Sequence, residues 1–127
     1  MNNDIQIQGN DFEVMNSNRD KGHRFELKIV NELKEMGYEA VSSRAESKNL
    51  DAQAVDIVSN FPYYVQCKFT QRLPNIWKIF MRMPPTKPPA LFFSQAYKDD
   101  LVIVRKKDFY ELIKKINSYE VSGKEGD

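Results

Sequence analysis

The stretch VDIVSNFPYYVQCKF, residues 55–69, constrains the fold of this chain more than any other. Two short runs rich in β-branched and aromatic residues flank a turn at SNFP. Pro62 cannot donate to a ladder, so it belongs in that turn or at the first position of the second run. A tight hairpin is the expected structure. Side chains alternate across a strand. Asp56 and Val58 therefore share one face, with Val55 and Ile57 on the other. In the second run Tyr64, Gln66 and Lys68 lie opposite Tyr63, Val65, Cys67 and Phe69, the apolar set expected to be buried. A natural hairpin register then brings a carboxylate, an amide and an ammonium onto one surface. Metal-assisted phosphodiester hydrolysis uses such a trio. Asp56 and Gln66 would hold a hard cation that polarises the phosphate and acidifies a bound water, while Lys68 stabilises developing charge or orients that water. The same alternation also describes a half-exposed hairpin whose polar face simply meets solvent.

At 127 residues the chain has the size of one domain with one continuous core. A single cysteine and a single histidine exclude an internal disulfide and a His/Cys metal cluster, leaving an oxygen-held cation such as Mg²⁺ as the expected metal. Apolar and charged fractions of 41% and 29% fit a cytoplasmic globular protein. No apolar run approaches the roughly 20 residues of a membrane span, and the N-terminus has no basic start followed by an apolar stretch. A secretory signal and a membrane role are therefore not expected. The net charge of +1 hides an asymmetry: residues 57–98 contain no Asp or Glu, but they contain Lys68, Arg72, Lys78, Arg82, Lys87 and Lys98. Such a stretch can follow a phosphate backbone, or be a solvated surface.

Residues 1–18 are polar and aperiodic, so an N-terminal arm or an added edge strand is expected there. From Ser17 the stripe Phe25, Ile29, Val30, Leu33 and Met36 predicts a helix stopped at Gly37, with Glu26 beside the stripe. YEAVSSRA reads as a strand and AESKNLDAQ as a polar loop. TQRLPNIWKIFMRM reads as a helix whose Trp77, Phe80 and Met81 belong to the core or a dimer interface. PPTKPP is an extended connector. ALFFSQ and LVIVRK are buried-looking strands, and Asp108 with Glu111 opens a last helix. A polar tail is expected over residues 119–127, leaving one domain over 19–118. Helices sharing a sheet with a central hairpin give an α/β or α+β domain.

With these elements in order, the sequence resembles the PD-(D/E)xK nuclease superfamily, and within it most closely the archaeal-type Holliday junction resolvases. The resemblance covers about residues 20–116. KGHRFELKIVNELKEMGYEAVSSRA is similar to the family's opening helix and first strand. Val55-Asp56-Ile57-Val58 stands in the place of its Pro-Asp-Ile-Val, and Gln66-Cys67-Lys68 in the place of its Glu-x-Lys. ALFFSQ, LVIVRK and the helix from Asp108 complete the order.

The resemblance implies a restriction-endonuclease-like core, a mixed central β-sheet flanked by helices. It also implies a Mg²⁺-dependent endonuclease, with Mn²⁺ able to substitute, acting on four-way or other branched DNA in recombination and repair. Carried over by residue, it makes Lys68 the catalytic lysine and Asp56 the central metal-binding aspartate. Glu26 becomes the helix glutamate that reaches the metal directly or through water, and the Cys67 backbone carbonyl a further ligand. Ser43 and Arg44 fall near the active-site mouth and the DNA backbone. Arg24, Lys48, Arg72, Lys78, Arg82 and Lys87 complete the expected DNA contacts, with Arg105, Lys106 and Lys107 adding to them. His23, three residues before Glu26, is expected at the surface or against a phosphate. Cutting both strands of a junction implies a homodimer. Two departures matter: Val55 replaces the Pro before the aspartate, and Gln66 replaces the second carboxylate. Gln66 removes a negative charge and should weaken Mg²⁺ binding, so that Glu26 contributes more and Glu46 or Asp51 could swing in. A nuclease fold kept as a DNA-binding module, and a restriction or repair nuclease, are the alternative functions.

Overall fold

The computed structural model describes residues 3–126, with side chains described over residues 19–119. The chain runs α1 (Asn3–Glu35), β1 (Ala40–Ser42), α2 (Ser43–Glu46), α3 (Lys48–Ala52), β2 (Ile57–Ser59), β3 (Tyr64–Phe69), α4 (Ile76–Arg82), β4 (Pro89–Ser94), β5 (Leu101–Val104) and α5 (Lys106–Gly126). The fold is α/β, a five-stranded mixed sheet flanked by helices. No helix is long and apolar enough to cross a membrane among the described residues.

The strands lie in sequence order, with β3 in the middle. β1 pairs antiparallel with β2 from Ala40↔Ser59 to Ser42↔Ile57, and β2 with β3 at Ile57↔Val65. β3 then runs parallel to β4 from Tyr64↔Pro89 to Phe69↔Ser94, the crossover being carried by α4. β4 and β5 close the sheet antiparallel. Pro62 lies in the turn between β2 and β3, as its missing N–H requires.

The apolar stripe of α1 does what its period predicts. Phe25, Ile29, Val30 and Leu33 pack on one face of the sheet against Ala40, Ile57 and Val65, with Cys67, Phe69 and Phe92 at the margin. Each such side chain, fully buried, contributes about 1.5–3 kcal/mol. The left-handed backbone of Gly37 (φ 96°) ends the helix, as expected. On the opposite face Ile79 of α4 and Met83, the residue after it, close over Ala54 and Val55.

The structure departs from several of the expectations. The polar stretch 3–18, read as an arm or edge strand, continues α1, and the tail beyond residue 118 continues α5 to Gly126. The strand read in YEAVSSRA stops at Ser42, and the polar loop after it holds two short helices; Ser47 caps α3 by accepting from the Leu50 N–H at 3.3 Å. Val55 does not share a face with Ile57: β2 begins only at Ile57, Ala54 turns the chain in the left-handed region (φ 64°), and Val55 goes to the α4 side. Of the two places read for Trp77, Phe80 and Met81, core or dimer interface, only Phe80 joins the core, packing against the Ala54–Val55 cluster, while Trp77 and Met81 are 77% and 85% exposed.

Candidate active site

Asp56 sits where β2 begins, and its backbone is gripped from two sides. Its N–H donates to the Val65 carbonyl at 2.8 Å, and its own carbonyl accepts from the Ser43 N–H at 2.8 Å. The turn before it is tied by the Val55 N–H to the Leu50 carbonyl at 2.9 Å. The carboxylate then takes the place of a strand neighbour. Oδ2 accepts from the Cys67 N–H at 2.8 Å and from Gln66 Nε2 at 2.9 Å. Oδ1 accepts no hydrogen bond among the described residues. The predicted register is therefore observed: Ile57 lies across from Val65, and the next pair out is Asp56 and Gln66.

The same alternation fixes the neighbours of Asp56. The Tyr64 N–H points to β4, bonding Pro88, so the N–H groups of Val65 and Cys67 point to the β2 side. In extended backbone a residue's N–H and C=O point the same way. The Cys67 carbonyl therefore faces the side where β2 has already ended, beside the Asp56 carboxylate. The Gln66 and Lys68 side chains fall on the α4 face and line a cavity of about 410 Å³ with Asp51, Asp56, Lys78 and Arg82. Pro74, Asn75 and Ile79, from the start of α4, form its far wall. Asn75 caps that helix, accepting from the Lys78 backbone N–H at 3.2 Å, and Lys78 is among the residues lining the cavity.

Glu26 comes from α1, on the other side of the sheet, and is 2% exposed. Ser42, the last residue of β1, donates its hydroxyl to Glu26 Oε1 at 2.7 Å, and Arg44 lies 3.8 Å from Oε2. Glu26 does not line the cavity, but its charge is felt by Asp56. Burial raises the Asp56 pKa to about 6. The Cys67 N–H opposes that rise, Glu26 adds to it, and Lys68 and Arg44 relieve it. A carboxyl made costly to ionise and left with one free oxygen toward a cavity fits an incoming cation. Burial also pushes the Cys67 thiol well above its usual range, with Asp56 and Glu26 adding, which disfavours its thiolate.

The other expected contacts divide. Lys78 and Arg82 join the cavity, although Arg82 also donates to the Ala52 carbonyl at 2.8 Å. Ser43 is fully buried; its hydroxyl goes to Asp51 Oδ1 at 3.4 Å, so it positions Asp56 and Asp51 rather than reaching DNA. Lys87 spends its ammonium on the Ser59 and Phe61 carbonyls at 2.8 and 3.0 Å, away from the cavity. Arg24 lines a different recess with Lys21, Lys28 and Asp100. Lys48 and Arg72 are exposed outside the cavity, and so is His23. Glu46 lines a recess beside β1, whereas Asp51 does reach the cavity. Sequence reasoning missed Ser42. The signal available was the Ser42-Ser43 doublet, whose alternation sends one hydroxyl to Glu26 and the other to Asp51.

Among the described residues no three His, Cys, Asp or Glu side chains gather as a metal-holding group. A cation here would rely on mixed oxygen donors: the carboxylates of Asp56 and Glu26, the Gln66 amide and the Cys67 carbonyl. That set suits a hard cation such as Mg²⁺ or Mn²⁺. Comparisons with protein-family models, with curated proteins and with solved structures find no match.

Proposed function

We propose that this chain is a metal-dependent, structure-selective DNA endonuclease of the PD-(D/E)xK superfamily, with a restriction-endonuclease-like core, that resolves Holliday junctions. One observation carries the reading: Asp56, Gln66 and Lys68 line a single cavity with two further basic side chains, while the charge of the buried Glu26 on α1 acts on the same aspartate. Mg²⁺ or Mn²⁺, when bound, polarises the scissile phosphate and supplies an activated water. Asp56 would hold it through Oδ1, with the Cys67 carbonyl and, once its amide turns, the oxygen of Gln66; Glu26 would reach it directly or through water. Lys68 neutralises charge developing on the phosphate, and Lys78 and Arg82 hold the backbone in place. Arg44 and the Ser42 hydroxyl hold Glu26 in its orientation. A junction has two strands to cut, and the exposed Trp77 and Met81 offer a surface on which two copies of this intracellular enzyme would pair.

The test compares cleavage of a four-way junction with cleavage of its linear arms, in Mg²⁺ and in Mn²⁺. Selective cutting of the junction that is lost in Lys68→Ala supports the resolvase. Equal cutting of the arms points to a restriction or repair nuclease instead. A second reading has its own observation, the Gln66 Nε2 bond that caps Asp56 Oδ2. On that reading the chain is a DNA-binding module with a quenched site. It predicts junction binding without cleavage at any metal concentration, and no gain from Gln66→Glu.

A further inference from the structure

We propose that the divalent cation enters this site together with the nucleic-acid phosphate rather than ahead of it, and that Gln66 sets this order. The inference rests on the nuclease reading above. The cavity is lined by the acids Asp51 and Asp56 and by the bases Lys68, Lys78 and Arg82, so positive charge is in excess. Behind Asp56, the one further carboxylate, Glu26, is already matched by Arg44 at 3.8 Å and by the Ser42 hydroxyl at 2.7 Å.

A cation approaching the free protein therefore meets a lining that repels it. It finds one carboxylate oxygen of Asp56 open, the other holding two donors, and an amide whose Nε2 must first leave that carboxylate. A phosphodiester meets the opposite field and is drawn in. Once seated among Lys68, Lys78 and Arg82, it offsets their excess charge and contributes an anionic oxygen, the ligand that an amide at position 66 does not provide. The cation then has enough negative charge to displace the Gln66 bond. Binding free energies are reciprocal, so each ligand must tighten the other by the same factor. A carboxylate at position 66 would supply that charge permanently and dissolve the coupling.

The test is Mn²⁺ binding followed by electron paramagnetic resonance of the free ion, with and without a four-way DNA junction, after subtracting binding to DNA alone. The wild type should bind Mn²⁺ at least about tenfold more tightly with the junction. Asp56→Asn should abolish that gain, and Gln66→Glu should bind Mn²⁺ without DNA and gain less than about threefold from it. Lys78→Ala, at an exposed position, should weaken junction binding and shrink the Mn²⁺ gain with it. Equal Mn²⁺ affinity with and without a bound junction would overturn the coupling and leave the nuclease reading intact. Junction binding that never recruits Mn²⁺ would overturn the coupling in favour of the binding module. No junction binding at all would overturn the nuclease reading, and the coupling with it.

Discussion

The two ends of this sheet break the ordinary rule of folding in opposite directions. Around β1–β3, polar groups are inside: Glu26, Ser43, Asp56 and Gln66 are all buried, and every deeply buried polar side-chain atom among the described residues has a partner. Around α4, β5 and α5, apolar groups are outside: Trp77, Met81, Leu101, Val102, Phe109, Tyr110 and Leu112 are all exposed. Buried polar groups cost free energy unless satisfied, and exposed apolar surface costs free energy until covered. The first end holds its polar groups in partnered, buried positions. The second leaves apolar surface uncovered, and an apolar groove of about 560 Å³ between α4 and the β5–α5 corner belongs to it. α4 meets both, with Lys78 and Arg82 on the cavity of Asp56 and Trp77 and Met81 on the apolar groove.

Mutations at the two ends should therefore behave differently. Lys68→Ala is expected to lower junction cleavage by about 10²–10³-fold while leaving junction affinity and unfolding nearly unchanged, read by single-turnover cleavage beside gel-shift binding. Leu33, under the site and wholly buried, tests the core on which both ends depend. Leu33→Ala should cost about 3 kcal/mol in urea unfolding.

The acidic end also predicts a pH signature. Burial lifts the Asp56 pKa from 3.8 to about 6, so the folded form holds that proton more tightly than the unfolded one. Its contribution to stability is complete below about pH 4 and is lost as the pH rises through 6, a change of about 2–3 kcal/mol. Asp56→Asn should remove that part of the slope and melt higher than wild type at pH 7.5 in calorimetry, while losing cleavage. The smallest effect belongs to the apolar end. Trp77→Ala should leave monomer unfolding within about 0.5 kcal/mol and raise the dimer dissociation constant about tenfold, measured by sedimentation. If Trp77→Ala instead destabilises the monomer as much as Leu33→Ala does, the contrast between the two ends is wrong.

How legible each part was in the sequence follows the range of the interactions involved. The α1 stripe and the Asp56–Gln66 pairing were readable because a period and a short turn fix them locally. The helical state of residues 3–18 and of α5 beyond residue 118 was not, because those stretches lack an apolar stripe to announce it. The two short helices after β1 were hidden because capping at Ser47, not periodicity, holds α3. Of the residues read as phosphate contacts, Lys78 and Arg82 line the cavity with Asp56, since α4 follows β3 directly. Lys87 bonds the Ser59 and Phe61 carbonyls, a choice that depends on how β4 returns beside β3. Sequence could not show that Trp77 lies outside, because an apolar helical face looks the same whether its partner belongs to the same chain or another.

The Cys67 N–H, which hydrogen-bonds a carboxylate instead of a neighbouring strand, makes the site observable in its own right. Backbone amides paired within the sheet's ladders see carbonyl partners whose charge never changes. This one sees an oxygen that is neutral or anionic according to pH and that a cation would polarise. In a nitrogen-15 correlation spectrum the Cys67 cross-peak should therefore titrate with Asp56 and move again on metal loading, while its neighbours in β3 stay still. A single amide would then report occupancy of the site without substrate or turnover.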